Sequence, residues 1–284
     1  MKCKRTKQLL LFTIIGTLFC TSIQAQNRID MPVWGAEKPQ VSDNSQNATM
    51  SVYLPKEPNG MAVIMCPGGG YDHHAITHEG HDMASWFNGQ GITYVVLKYR
   101  LPRCNDTIPL SDAKRAIKVV RMNAEKWKVN PHMVGIMGGS AGGHLASSLA
   151  TMYGEAIYRP DFQVLLYPVI SMDPKITNKG THNQLIGEKP AAGMEERYTT
   201  SNRVDRNTPQ AFIALSADDT GVLPINSLLY YEALRKNRVS ATLHIYPTGG
   251  HGWGFKDSFI YKSEWTMELA KWLKIQREAL SASK

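Results

Sequence analysis

Apolar and polar positions along this chain follow two rhythms. Short runs rich in Val, Ile and Leu recur at residues 63–66, 92–97, 134–137, 164–167, 212–215 and 243–246, too short for core helices and too continuous for strands with one wet face. Between them apolar residues recur three and four apart, which predicts helices at 79–89, 111–127, 141–153, 225–237 and 261–280. Strands buried on both faces and separated by helices make an α/β fold: a mostly parallel central sheet with helices on both sides. An alternating stretch at 50–54 predicts an added antiparallel edge strand. Residues 171–209 break the rhythm, being polar and rich in Lys, Asn, Thr and Glu. They are expected as a lid-like insertion over the strand ends or, equally, as a solvated surface excursion.

The first 25 residues follow a different logic. A basic start (Lys2, Lys4, Arg5, Lys7), an apolar stretch from Leu9 to Phe19 and a small residue, Ala25, read as a secretory signal peptide, too short to stay as a membrane anchor. Phe19 before Cys20 is too bulky for a lipoprotein cleavage site. The expectation is an exported protein, periplasmic or secreted, starting near Gln26 and forming one domain over 26–284. The formal charge of +8 then falls to +4, because four of the 32 basic residues and no acid lie in that segment. Such a balance gives nucleic-acid binding no support. Of the four cysteines, Cys66 and Cys104 lie past this segment, and an oxidising setting leaves either a disulfide between them or two buried thiols open.

Chemistry enters with the run Gly138-Gly139-Ser140-Ala141-Gly142, which stands between the apolar run at 134–137 and the helix expected from 141. The five letters alone are weak, but strand, sharp turn and helix in this order hold a serine hydroxyl where a base can reach it and where backbone N–H groups await an oxyanion. His144 is an unsuitable base, since the first turn of the helix points it away from that hydroxyl. Groups at the carboxyl ends of the other strands are better placed. Asp218 and Asp219 follow the run at 212–215, and His251 lies in the glycine-rich loop after the run at 243–246. A histidine titrating near neutrality can take and return the serine proton, and a carboxylate can orient it and stabilise its cation. Asp219 is preferred to Asp218 because it stands three residues before Val222, with Asp218 bonding locally in the turn. Pro67-Gly68-Gly69-Gly70-Tyr71 follows the run at 63–66, and the N–H groups of Gly69, Gly70 and Ala141 are the expected oxyanion donors. Tyr71 and Trp253 flank these loops and either stack on substrate or pack as hydrophobic bodies. His73, His74, His78 and His81 crowd the next loop, but no cysteine or carboxylate pattern completes a metal site, so neither metal nor cofactor is expected.

Seven segments together, CPGGGY at 66–71, HEG at 78–80, LKYRLP at 97–102, GGSAGGHLA at 138–146, YPVIS at 167–171, SADD at 216–219 and GGHGWG at 249–254, resemble the α/β-hydrolase superfamily. The likeness is to its esterase/lipase branch, among the acetyl xylan esterase-like carbohydrate esterases. Pro67 stands where hormone-sensitive-lipase-like relatives open the loop with histidine, a departure that leaves the backbone donors untouched. The resemblance implies a Ser140-Asp219-His251 carboxyl esterase removing small acyl groups, acetyl first, from sugars such as xylan fragments. A peptidase or amidase, or a general short-chain carboxylesterase, fits the same triad, and a non-catalytic glycan-binding protein on the inherited fold is the remaining reading. Nothing in the sequence sets the oligomeric state.

Overall fold

The computed structural model describes residues 27–39, 41 and 47–282; the expected signal peptide lies outside them. Among the described residues eight strands form one sheet: β1 Asn27–Pro32, β2 Thr49–Leu54, β3 Ala62–Cys66, β4 Thr93–Lys98, β5 Val134–Gly139, β6 Gln163–Leu166, β7 Ala211–Ser216 and β8 Ala241–Tyr246, in the order β1-β2-β4-β3-β5-β6-β7-β8. β2 pairs antiparallel with β1 and β4, and every pairing from β4 to β8 is parallel. This is the α/β-hydrolase layout.

The apolar runs divide their side chains between two cores. Ile64, Val95, Ile136, Leu165 and Ile213 face one layer, where they meet α2 (Thr107–Met122), α3 (Ser140–Thr151) and α6 (Ile225–Lys236). Their neighbours Met65, Val96, Met137, Val164 and Phe212 face the other, against α1 (Ala84–Gly89) and α7 (Lys262–Ala282). Each buried aliphatic side chain contributes about 1.5–3 kcal/mol, and β3, β5, β6 and β7 are buried at every position. A one-residue slip would exchange the two cores, so the register is strongly set. At the end of β4 the Arg100 guanidinium meets the Asp112 carboxylate at 2.7 Å, both side chains buried, and this ties the strand to α2.

Three local differences from the sequence expectation have physical causes. The helix expected from residue 79 starts as α1 only at Ala84, because turns close from Thr77 to Asp82 and from Ile76 to His81, and Gly80 takes a non-helical backbone. The strand β1 was not expected: its alternation, Arg28-Ile29-Asp30-Met31, is only four residues long and runs into Pro32, and the strand is held by pairing with β2, where Arg28 reaches across to Ser51. Residues 171–209 hold two further helices, α4 (Lys179–Ile186) and α5 (Met194–Tyr198), and bury Leu185 and Tyr198.

His144 of α3 locks this segment to the sheet. The Tyr198 carbonyl can only accept, so the His144 Nε2–H donates to it at 2.8 Å, and Nδ1 then accepts from the Tyr71 hydroxyl at 3.0 Å. Burial pushes the His144 imidazole from 6.5 down to about 4. The folded protein therefore holds it neutral while the unfolded chain protonates it below 6.5, so its contribution is complete above that pH and is lost as pH falls to about 4. We expect His144→Phe to lose less stability than the parent between pH 7 and pH 4.5, by roughly 2–3 kcal/mol. Urea midpoints at the two pH values give the comparison, and equal losses in both proteins would contradict it.

Candidate active site

β5 ends and α3 begins at Ser140 with no intervening loop, so the chain must reverse within one residue. Ser140 sits at φ 53°, the left-handed region that costs an L-residue about 1–2 kcal/mol. The glycines around it leave the room this needs. A Cβ on Gly138 would lie 2.1 Å from the Gly142 carbonyl oxygen, and one on Gly142 would lie 1.9 Å from that of Cys66. Ser140 is 7 % exposed, with its hydroxyl at the mouth of the helix.

The loops after β7 and β8 bring two more groups to this hydroxyl. His251 Nε2 lies 2.8 Å from Ser140 Oγ, and its Nδ1 lies 2.7 Å from Asp219 Oδ2. A carboxylate only accepts, so Nδ1 carries the proton and Nε2 is free to accept from the serine. Asp219 is fully buried at its side chain, and its Oδ1 accepts from the N–H groups of Gly221 and Val222, both at 2.9 Å. Gly221 also packs on the imidazole, where a Cβ would stand 3.0 Å from His251 Cγ. Asp218 does something else: it is exposed and accepts from the Gly249 and Gly250 N–H groups, at 3.2 and 2.8 Å, which closes the loop that carries His251.

On the other side of Ser140 lies the loop after β3. Gly69 and Gly70 have φ of 119° and 63°, open to glycine alone or at strain to others. Its internal bonds run from Asp72 and His73 N–H to the Gly69 carbonyl and from Ala75 N–H to that of Gly68. None of them uses the N–H of Gly69 or Gly70. Ala141 is in the first turn of α3, where N–H groups have no acceptor within the helix and the helix dipole favours negative charge.

The stacking alternative for Tyr71 and Trp253 is corrected by their burial, at 1 % and 3 % exposed. Tyr71 meets His144 and Tyr99 edge-on, and Trp253 stacks on Phe259 at 4.3 Å and donates to Ser216 Oγ. Both pack as hydrophobic bodies with a satisfied polar tip. The four histidines of the 73–81 loop disperse: His81 bonds Tyr53, His74 packs on Tyr99, His78 lies 3.9 Å from Glu79, and His73 is exposed beside Asp72. Cys66 and Cys104 are both free, the first buried and the second exposed, so neither the disulfide nor a buried pair describes them. Sequence reasoning missed Glu79 and Tyr167, whose chain positions lie in quoted motifs but whose burial behind the site no local pattern signals.

Residues 50–234 match the BD-FAE family. An acetylxylan esterase of Xylanibacter ruminicola is 41 % identical over 242 residues, covering 82 % of this chain and 49 % of the relative. The endo-1,4-beta-xylanase B of Butyrivibrio fibrisolvens is 31 % identical over 204 residues, covering 67 % of this chain and 32 % of the relative. The chain thus spans about half the length of the first and a third of the second. Among solved structures, the acetyl ester-xyloside bifunctional hydrolase of Caldicellulosiruptor lactoaceticus superposes with a TM-score of 0.80 at 34 % identity, covering 87 % of this chain and 95 % of that one.

The two aspartates make separate predictions. Asp219→Asn removes the charge against His251 Nδ1 and favours the wrong imidazole tautomer, so kcat on an aryl acetate is expected to fall on the order of 10⁴-fold. Asp218→Asn only weakens a loop closure and is expected to stay within about tenfold. Equal losses at the two positions would contradict this assignment.

Proposed function

The chain belongs to the BD-FAE family, and from that premise we propose that the protein is a serine carboxyl esterase that removes small acyl groups, acetyl first, from carbohydrate hydroxyls. The observation that carries the reading is the unbroken line from the Asp219 carboxylate through His251 to the Ser140 hydroxyl at 2.7 and 2.8 Å. The chemistry follows from it. His251 Nε2 takes the Ser140 proton as Oγ attacks the ester carbonyl carbon, and Asp219 stabilises the imidazolium so formed. The carbonyl electron pair moves to oxygen, where the Gly69, Gly70 and Ala141 N–H groups receive it. Collapse of the tetrahedral intermediate breaks the bond to the sugar oxygen, which leaves with the proton from His251. Water, deprotonated by the same imidazole, then attacks the acyl-serine and frees the acid.

Support for a carbohydrate substrate comes from the names of the relatives, one an acetylxylan esterase and one a xylanase. The ester choice over amide is our reading of the acetylxylan esterase relative and of the acetyl ester-xyloside hydrolase structure. Residues 171–209 form the rim of the site in this reading: Asn178 Nδ2 donates to the Gly221 carbonyl at 2.9 Å, and Gln184 Nε2 approaches Asp72 Oδ1 at 3.4 Å. The basic and apolar N-terminus supports export to the periplasm or medium.

A substrate panel tests the proposal: aryl acetate, butyrate and longer esters, an aminoacyl amide, and acetylated xylan with its oligosaccharides. Acetate release from the glycans, rates falling with acyl length and no amide cleavage are expected. Ser140→Ala should lower kcat by about 10⁴-fold or more. Preference for the amide, or acetate release that survives Ser140→Ala, would overturn it.

A further inference from the structure

Glu79 moves no proton in the steps above, yet it is 2 % exposed and lies directly behind them. Burying an ionised carboxylate is costly unless donors surround it, and here the donors come from separate parts of the site. The Gly68 N–H of the oxyanion loop donates to Oε2 at 2.7 Å, and the Tyr167 hydroxyl, at the end of β6, donates to Oε1 at 2.9 Å. That same hydroxyl accepts from the Gly254 N–H in the histidine loop at 2.8 Å, and the Tyr167 ring stands edge-on to His251 at 5.0 Å. Burial and the neighbouring Glu79 charge push the Tyr167 hydroxyl well above the ordinary tyrosine range, so it remains a donor. His78, 3.9 Å from Oε1, is held below the ordinary histidine range chiefly by burial.

Packing points the same way as bonding. A Cβ on Gly68 would lie 2.5 Å from Glu79 Oε2 and 2.9 Å from Ser140 Cβ, so the carboxylate and the nucleophile press on one glycine from two sides. A Cβ on Gly139 would lie 2.7 Å from Oε2, and one on Gly254 would lie 3.0 Å from Glu79 Cγ. The glycines of the oxyanion loop, the nucleophile turn and the histidine loop therefore each leave space that Glu79 fills.

The geometry points to Glu79 as a positioning residue that clamps the oxyanion loop through Gly68 and the histidine loop through Tyr167 against the Ser140 turn, so that donors and base are set before substrate arrives. This inference rests on the serine esterase reading. An amide side chain of the same shape cannot replace the carboxylate. Turned one way, its NH₂ faces the Gly68 N–H, donor against donor; turned the other, it faces the Tyr167 hydroxyl and takes away the acceptor of that proton. The first orientation breaks the Gly68 clamp, and the second can bond Tyr167 only by donating to its oxygen, which leaves the hydroxyl proton unpaired beside the Gly254 N–H.

The test is Glu79→Gln, with kinetics on an aryl acetate and affinity for a phenylboronic acid, which forms a tetrahedral adduct with an active serine. We expect kcat to fall on the order of 10²-fold with KM within about threefold, as when an oxyanion donor is displaced, and boronate affinity to fall at least tenfold. Should Glu79→Gln fail to fold, Tyr167→Phe takes its place, with an expected tenfold loss of kcat at constant KM. In the double variant the two losses should not multiply, since they break one chain of bonds. A folded Glu79→Gln with parental kcat and boronate affinity, a loss carried in melting temperature alone, or a Tyr167→Phe of parental kcat would overturn the clamp. A parent that binds boronate but hydrolyses no ester would remove the esterase reading alone, and the boronate affinities of the variants would still decide this one.

Discussion

The site depends on one backbone constraint, the left-handed turn at Ser140 between β5 and α3. A strand entering a helix with no loop must reverse at one residue, and that residue projects its side chain away from both elements. The conformation is unfavourable for serine by itself. It persists because the surrounding atoms allow no other path: Gly142 lies against the Cys66 carbonyl, and Gly143 against Pro168, where a Cβ would stand 2.7 Å from the proline ring. Packing energy spread over two cores holds a strained turn that a free peptide would not adopt. The same turn places the N-terminus of α3 beside the Ser140 hydroxyl, where the proposed mechanism develops negative charge.

Around that turn the parallel sheet delivers the other groups in a fixed way. Strands β3, β7 and β8 all end at the same edge as β5, so loops distant in sequence converge there. Asp219 follows β7 and His251 follows β8, on adjacent strands in register from Ala211 with Ala241 to Ser216 with Tyr246. Registry of the sheet thus becomes a 2.7 Å contact between side chains. Carboxylate acceptors then tighten the loops: the buried Asp219 by its bonds to Gly221 and Val222, and the exposed Asp218 by its bonds to Gly249 and Gly250.

Much of this was legible in the sequence, for definite reasons. Strands β3 to β7 announce themselves because burial on both faces leaves their centres apolar, whereas the alternation in β1, Arg28-Ile29-Asp30-Met31, is too short to stand out. Ser140, Asp219 and His251 were traceable because each follows a strand that the apolar runs mark. The start of α1 was not, since a 3.6-residue period cannot register the tight turns at residues 76–82. Tyr71 and Trp253 stayed open between stacking on substrate and packing because a sequence shows that a ring is near a loop but not which of its faces is covered. Glu79 illustrates the deeper limit: its partners lie 11 and 88 residues away, and its burial follows from the fold alone.

The proposed chemistry turns on the hydrogen bond between His251 Nε2 and Ser140 Oγ. The most direct measurement is labelling by an aryl fluorophosphonate with peptide mapping, for the parent and for His251→Ala of matched melting temperature. One phosphonyl group on Ser140, forming orders of magnitude more slowly in His251→Ala, is the predicted result. A folded parent that leaves Ser140 unlabelled, or a labelling rate that ignores the loss of His251, would contradict it.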